Sequence, residues 1–141
     1  MVVAPEGNKG PVGDQGPVGD QGSAIDFPQD IISFGTVSRF DTSRFYINKV
    51  GVYLVQYQLY VKEVCNVIIG LEDLIPTTLD ELQYTVVSKD SNDTYINGSF
   101  LINIDTPKLL SIRNPINSTT TITISSDNLP CVCNLNILCI I

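Results

Sequence analysis

The chain has no histidine and no tryptophan in its 141 residues, and its only alanines are Ala4 and Ala24. Without histidine it lacks the commonest general base and the commonest metal ligand. The Ser/His and Cys/His nucleophilic arrangements go with it. Scarce alanine removes the best helix former. Apolar runs fall far short of the roughly 18 residues that a membrane-spanning helix needs, so membrane insertion is not expected. Basic residues are also few, eight against fifteen acidic ones, for a net charge of −7. No basic run interleaves with aromatics, which argues against nucleic acid as a partner, and the acidity disfavours anionic membranes. The opening residues MVVAPEG lack the basic start and apolar stretch of a secretory signal. The expectation is that such a signal was removed, or that the protein reaches its destination by assembly or lysis.

Catalytic groupings are missing as well. Asp41, Asp73, Asp80 and Asp105 are scattered among turn segments, with no spacing that marks a working carboxylate pair. There is no nucleophile elbow, phosphate loop or zinc motif. The sequence therefore predicts a protein that is not an enzyme and has no catalytic residues.

What is present is β-forming and apolar. Hydrophobic residues make up 43% of the chain, with Val, Ile, Leu, Tyr and Phe dominant, a composition suited to pleated, half-buried surfaces.

The N-terminal region carries a strict period of three. Glycine stands at Gly7, Gly10, Gly13, Gly16, Gly19 and Gly22, which is six of the ten glycines. The triplets read GNK, GPV, GDQ, GPV, GDQ and GSA. Only glycine fits where three polyproline-II chains meet at an axis, so this register predicts a collagen-like triple helix. Pro11 and Pro17 occupy the X position, where their fixed φ suits that geometry. A flexible linker is the alternative reading of such a composition, but a linker needs no period. No proline occupies a Y position, so hydroxyproline cannot stabilise the helix. At about 3.1 Å per residue the segment spans roughly 55 Å, too short a rod to hold three chains by itself. The expected organisation is an N-terminal leader (1–6), a collagen-like stalk (7–24) and a head (25–141) that does the trimerising.

Phe27-Pro28 closes the stalk, and the pattern then changes to short runs of period two. Strands are predicted over 44–49, 52–61, 64–69, 82–88, 95–104, 108–114, 119–125 and 131–141. In the strongest of them Tyr53, Val55, Tyr57, Leu59 and Val61 share one face, with Gln56 and Gln58 on the other. Turn-forming clusters lie between the runs, at 76–78, 89–93, 105–107 and 114–117. Only Glu72 to Leu82 reads as a short helical turn. Eight or so strands so punctuated imply an all-β sandwich or jelly roll.

A Gly-X-Y stalk followed by an all-β head resembles the C1q/tumour-necrosis-factor superfamily, and more specifically the collagen-like exosporium proteins of spore-forming bacteria. The stretch from Phe40-Asp41-Thr42-Ser43-Arg44-Phe45-Tyr46-Ile47 to Val50-Gly51-Val52-Tyr53 is similar to that family's central strand pair. Leu110-Ser111-Ile112-Arg113-Asn114 and Leu135-Asn136-Ile137 resemble two of its later strands. The resemblance implies a C1q/TNF-like jelly-roll head, homotrimeric through aromatic and aliphatic residues and carried at the tip of a surface filament. Tyr53, Val55, Tyr57 and Leu59 are the residues expected in trimer or core packing.

The four cysteines are Cys65, Cys131, Cys133 and Cys139. The last three share parity and would point to one face of a strand. Cys133 and Cys139 are too far apart along an extended strand to pair, whereas Cys65 could meet one of the others across the sheet. Buried small hydrophobe, disulfide partner within or between subunits, and metal ligand in the Cys131-Val132-Cys133 pair are the three readings. Asp90, Asn92 and Asp93 gather oxygen ligands in one loop, a calcium candidate, against the plainer reading of a solvated acidic loop. No other cofactor is expected. Asn92, Asn97 and Asn117 head glycosylation sequons, which matter only in a eukaryotic secretory pathway.

The functional expectation is a structural homotrimer at an extracellular surface, as a subunit of a spore exosporium or appendage. Its partners would be further copies of itself and other surface-layer proteins. A receptor-binding head of a virus or phage fibre, at the virion surface, is the alternative of a different class. A secreted C1q-like ligand is a third.

Overall fold

Side chains alternate between buried and exposed along most of the head, and two sheets bury their facing sides against each other. The computed structural model describes residues 18–19, 22–27, 36–75, 78–124 and 133–141. Among the described residues ten strands run in order: β1 (Val18–Gly19), β2 (Val37–Arg39), β3 (Phe45–Ile47), β4 (Gly51–Val61), β5 (Cys65–Glu72), β6 (Leu79–Lys89), β7 (Thr94–Ile104), β8 (Lys108–Arg113), β9 (Ile122–Thr123) and β10 (Cys133–Cys139). All pairings are antiparallel. One sheet has the order β10-β4-β7, a second β2-β3-β8-β5-β6, and β1 pairs with β9 in a short third. The protein is all-β, and its non-sequential strand orders are compatible with a jelly-roll-like sandwich.

One apolar cluster fills the sandwich. Tyr53, Val55, Tyr57 and Leu59 of β4 enter it from the three-stranded sheet, beside Ile96, Ile102, Leu135 and Ile137. Phe45, Ile47, Val67, Ile69, Leu110 and Ile112 enter from the five-stranded sheet. The period-two face expected for 52–61 is the face that is buried.

Two expectations change, and one strand is added. No helix occurs among the described residues, and the stretch read as a helical turn at 72–82 is instead the end of β5, a turn and the start of β6. The Asp73 N–H donates to the Thr78 carbonyl (3.1 Å), and the Thr78 hydroxyl donates to Asp73 Oδ2 (2.9 Å). Pairing of Leu79, Asp80 and Glu81 with β5 outweighs the weak local helix preference. Of the run expected over 119–125, the described residues hold two in a strand, Ile122–Thr123. The short strand at Val37–Arg39 has no counterpart in the reading, being too short for a period to show.

The entry to the head begins earlier than Ile25. Val18–Gly19 pairs with Ile122–Thr123, and Ala24 bridges Arg113. The Gly22 N–H donates to the Pro115 carbonyl (3.3 Å), and the Asn114 N–H donates to that of Ser23 (3.0 Å). Gly22 stands at φ 72°, in the left-handed region rather than near the −75° of polyproline II, so the chain turns there. Ile25 and Phe27, both buried, then anchor the segment in the core.

A bulge lies between β5 and β6. Val67 pairs with Val87, but Ile69 pairs with Leu82, so residues 83–86 of β6 loop out opposite Ile68. Thr85, fully buried, stitches the gap: it accepts the Ile69 N–H (2.9 Å) and donates to the Leu82 carbonyl (2.6 Å). The looped-out segment directs Tyr84 to the other sheet, where its hydroxyl donates to the Leu101 carbonyl (3.1 Å).

Candidate functional site

Every second residue of β4, β7 and β10 faces away from the core, and the register decides which of them stand side by side. Leu138, Leu54 and Leu101 form one rung across the three strands. Asn136, Gln56 and Ser99 form the next, and Asn134, Gln58 and Asn97 the one beyond. Tyr60 and Tyr95 face each other at the far end, their rings in edge-to-face contact at 5.0 Å and 84°. Ile140 continues the apolar end, its N–H donating to the Val52 carbonyl (2.9 Å). Leu101 is 56% exposed, and Leu138 and Ile140 44% each.

No residue of this face, from Val52 to Tyr60, Tyr95 to Asn103 and Asn134 to Ile140, is charged, although the chain carries −7. Gln56 Nε2 donates to Ser99 Oγ across strands (3.4 Å), which ties β4 to β7 within that rung. The face therefore presents leucine at one end, tyrosine at the other and neutral amides between. Sequence reasoning marked Gln56 and Gln58 as the outward side but not the leucine rung, because residues 54, 101 and 138 are brought together only by the pairing register.

The expected packing residues lie on the opposite side of the same sheet. Tyr53, Val55, Tyr57 and Leu59 are 0–3% exposed within a single chain, so they build the core and offer nothing to a second subunit. The Tyr53 hydroxyl donates to the Lys49 carbonyl (2.7 Å). The Tyr57 hydroxyl is buried with no hydrogen-bond partner among the described residues. Burial, with a smaller contribution from nearby Cys65, pushes its pKa far up and keeps it neutral.

Cys65 and Cys139 are free thiols, the Cys133 thiol donates to the Asp26 carbonyl (3.9 Å), and Cys131 lies outside the described residues. Cys65 belongs to the five-stranded sheet and β10 to the three-stranded one, so the meeting across one sheet expected for Cys65 does not occur with Cys133 or Cys139. Cys65 is buried, and burial raises its pKa. Cys133 and Cys139 share a face with Leu135 and Ile137, at the two ends of β10.

Asp90, Asn92 and Asp93 sit exposed in the β6–β7 turn. Asp93 takes a left-handed φ of 51°, and its N–H donates to the Lys62 carbonyl (2.9 Å). Among the described residues no three His, Cys, Asp or Glu side chains gather closely enough to hold a metal. Asn97-Gly98 lies within β7. Of the collagen register, Gly7, Gly10, Gly13 and Gly16 lie outside the described residues.

Ionic contacts cluster where the N-terminal segment meets the five-stranded sheet. Arg44 makes a two-point contact with Asp41 Oδ2 (2.6 and 2.8 Å). Glu72 Oε1 lies 3.9 Å from Arg44 and 3.8 Å from Arg113. Arg113, most of its side chain buried, also donates to the Gly22 carbonyl. These pairs hold the N-terminal strap, residues 22–27, and the turn between β2 and β3 in place.

Fold and face together define an antiparallel β-sandwich with one uncharged, partly apolar sheet surface. No family model matches the chain, and no curated protein matches it.

Proposed function

We propose that the chain is a non-enzymatic structural subunit that assembles as a homotrimer through the outer face of its three-stranded sheet. The single observation that carries this reading is the absence of charge from that face in a chain of net charge −7. Copies of an acidic protein repel one another, so self-association needs a surface from which like charges are missing. Interface cores are depleted of charge and enriched in tyrosine in the same way. Three such faces can converge about a closed three-fold axis, with the leucine rung buried and the amides pairing at its border.

The jelly-roll-like strand order supports a C1q/TNF-like head, and the register from Gly7 to Gly16 supports a short collagen-like spacer ahead of it. The turn at Gly22 and the strap to Phe27 would tie that spacer to the head. In this reading the trimer belongs to an extracellular surface layer or appendage, such as a spore exosporium, meets other surface-layer proteins there, and works without a cofactor.

Native mass spectrometry of the full chain tests the reading. The expected result is a trimer at micromolar concentration that persists in high salt, because no ion pair holds the face. Leu54→Glu combined with Leu101→Glu should leave a folded monomer. A wild-type chain that is monomeric at that concentration would sink the proposal.

A further inference from the structure

A cavity of about 580 Å³ opens at the side of the head between two walls that are distant in sequence. One wall is the rung pair where Cys65 faces Lys89 and Asn66 faces Ser88. The other is the loop after β8, residues 115–120. Its size falls within the range of small-molecule sites, and its lining is dominated by amides and hydroxyls. It plays no part in the assembly face.

Both walls are held in position. The Ser88 hydroxyl donates to Asn66 Oδ1 (2.6 Å), which leaves the Asn66 amide N–H groups as donors. In the loop, the fully buried Asn114 donates Nδ2 to the Thr120 carbonyl (2.7 Å). The Ser118 N–H donates to the Pro115 carbonyl (3.0 Å), and Ser118 Oγ accepts the Thr120 N–H (3.1 Å). Neither the Asn117 amide nor the Thr119 hydroxyl makes a side-chain hydrogen bond among the described residues, and both line the opening. Fixed donors and acceptors with spare capacity are the parts of a preformed polar site.

The charge pattern selects the ligand class. Lys89, 6% exposed, gives its ammonium to the Ser91 carbonyl, and Asp90 stands beside it in the lining. The two formal charges cancel, and the one cation is already engaged, which disfavours an anion such as phosphate. A single carboxylate is too few for a metal. A neutral ring with several hydroxyls, each both donor and acceptor, matches amides and hydroxyls facing each other across the opening. Val64 and Pro115 supply an apolar edge for its C–H face.

We infer that this cavity is a saccharide-binding site of the head, with Asn66, Ser88, Asn117 and Thr119 as its hydrogen-bonding residues. The site is complete within one chain and does not depend on assembly. Titration of the full isotope-labelled chain with a panel of methyl glycosides, with inorganic phosphate as the comparison, tests it by amide chemical shifts. At least one glycoside should move the signals of residues 64–66, 88–90 and 116–120 and leave those of β4 and β7 in place, while phosphate moves none. Asn66→Ala and Thr119→Val, both at exposed positions, should each weaken binding about tenfold with the fold retained. The monomeric Leu54→Glu/Leu101→Glu variant should still bind, which separates failure of this site from failure of the assembly face. A response to phosphate alone, no response to any glycoside, or unchanged binding by both variants would overturn the assignment.

Discussion

The ring of Tyr57 occupies the space that a side chain at position 98 would need. The two residues are direct partners on β4 and β7, and a methyl group on Gly98 would meet the ring and hydroxyl of Tyr57 well inside contact distance. Gly98→Ala should therefore cost about 1–3 kcal/mol through overpacking. In a Tyr57→Leu background the penalty should shrink, and a double-mutant cycle by urea denaturation reads the coupling. Tyr57→Phe should be neutral or stabilising, because the hydroxyl it removes is buried without a partner among the described residues.

Phe27 is 2% exposed and meets Phe45 edge-on, with ring centroids 6.4 Å apart. Phe27→Ala should destabilise the head by about 3–5 kcal/mol, a large share of the stability of an ordinary domain. A chain starting at Thr36 should accordingly melt well below one starting at Val18. Equal melting temperatures would show that the strap adds nothing to the head.

Thr85 closes both backbone groups left open by the bulge. Thr85→Val should leave a buried N–H and carbonyl unsatisfied and cost about 1–3 kcal/mol. Thr85→Ser keeps the oxygen and should recover most of that in the same unfolding measurement. If serine and valine destabilise equally, packing rather than hydrogen bonding governs the site.

Asp41 gives a test by pH. Burial works against its charge, but the Arg44 guanidinium and the N–H groups of Ser43 and Arg44 outweigh it and hold the pKa below the usual 3.8. A lowered folded-state value means the unfolded chain binds the proton more readily, so the stabilisation is present above pH 3.8 and is lost as pH falls through the lower folded value. Because the side chain is 37% exposed, solvent screening keeps the contribution to about 1 kcal/mol at neutral pH. Asp41→Asn should lose that amount at pH 7, and its urea midpoint should converge with that of the wild type in strong acid. A difference independent of pH would assign the effect to the turn rather than to the charge.

Much of the fold was legible in the residue pattern, and the limits of that legibility have physical causes. The period-two face of β4 follows from alternation alone, because a half-buried strand must place every second side chain in the core. The turns at 89–93 and 105–107 follow from residues that bond their own backbone or tolerate special φ. The composition of 72–82 is compatible with a helical turn as well as a strand, and only pairing with β5 decides between them. The Gly-X-Y period identified a repeat, but the turn at Gly22 and the docking of Ile25 depend on hydrogen bonds to residues 112–115, some ninety positions away, and the Phe27 N–H donates to the Thr42 carbonyl.

The sequence by itself determined that this is an all-β, acidic protein without histidine, with one face of its strongest strand committed to a core. Composition and alternation are local properties, and they suffice for that. Tertiary structure alone decided that Tyr53, Val55, Tyr57 and Leu59 are spent inside one chain, that Cys65 and β10 belong to different sheets, and that Leu54, Leu101 and Leu138 stand in one uncharged row. It also set Asn66 and Ser88 opposite the loop at 115–120. Those relationships are set by strand register and sheet order, which arise when distant segments pair, and no window of neighbouring residues contains them.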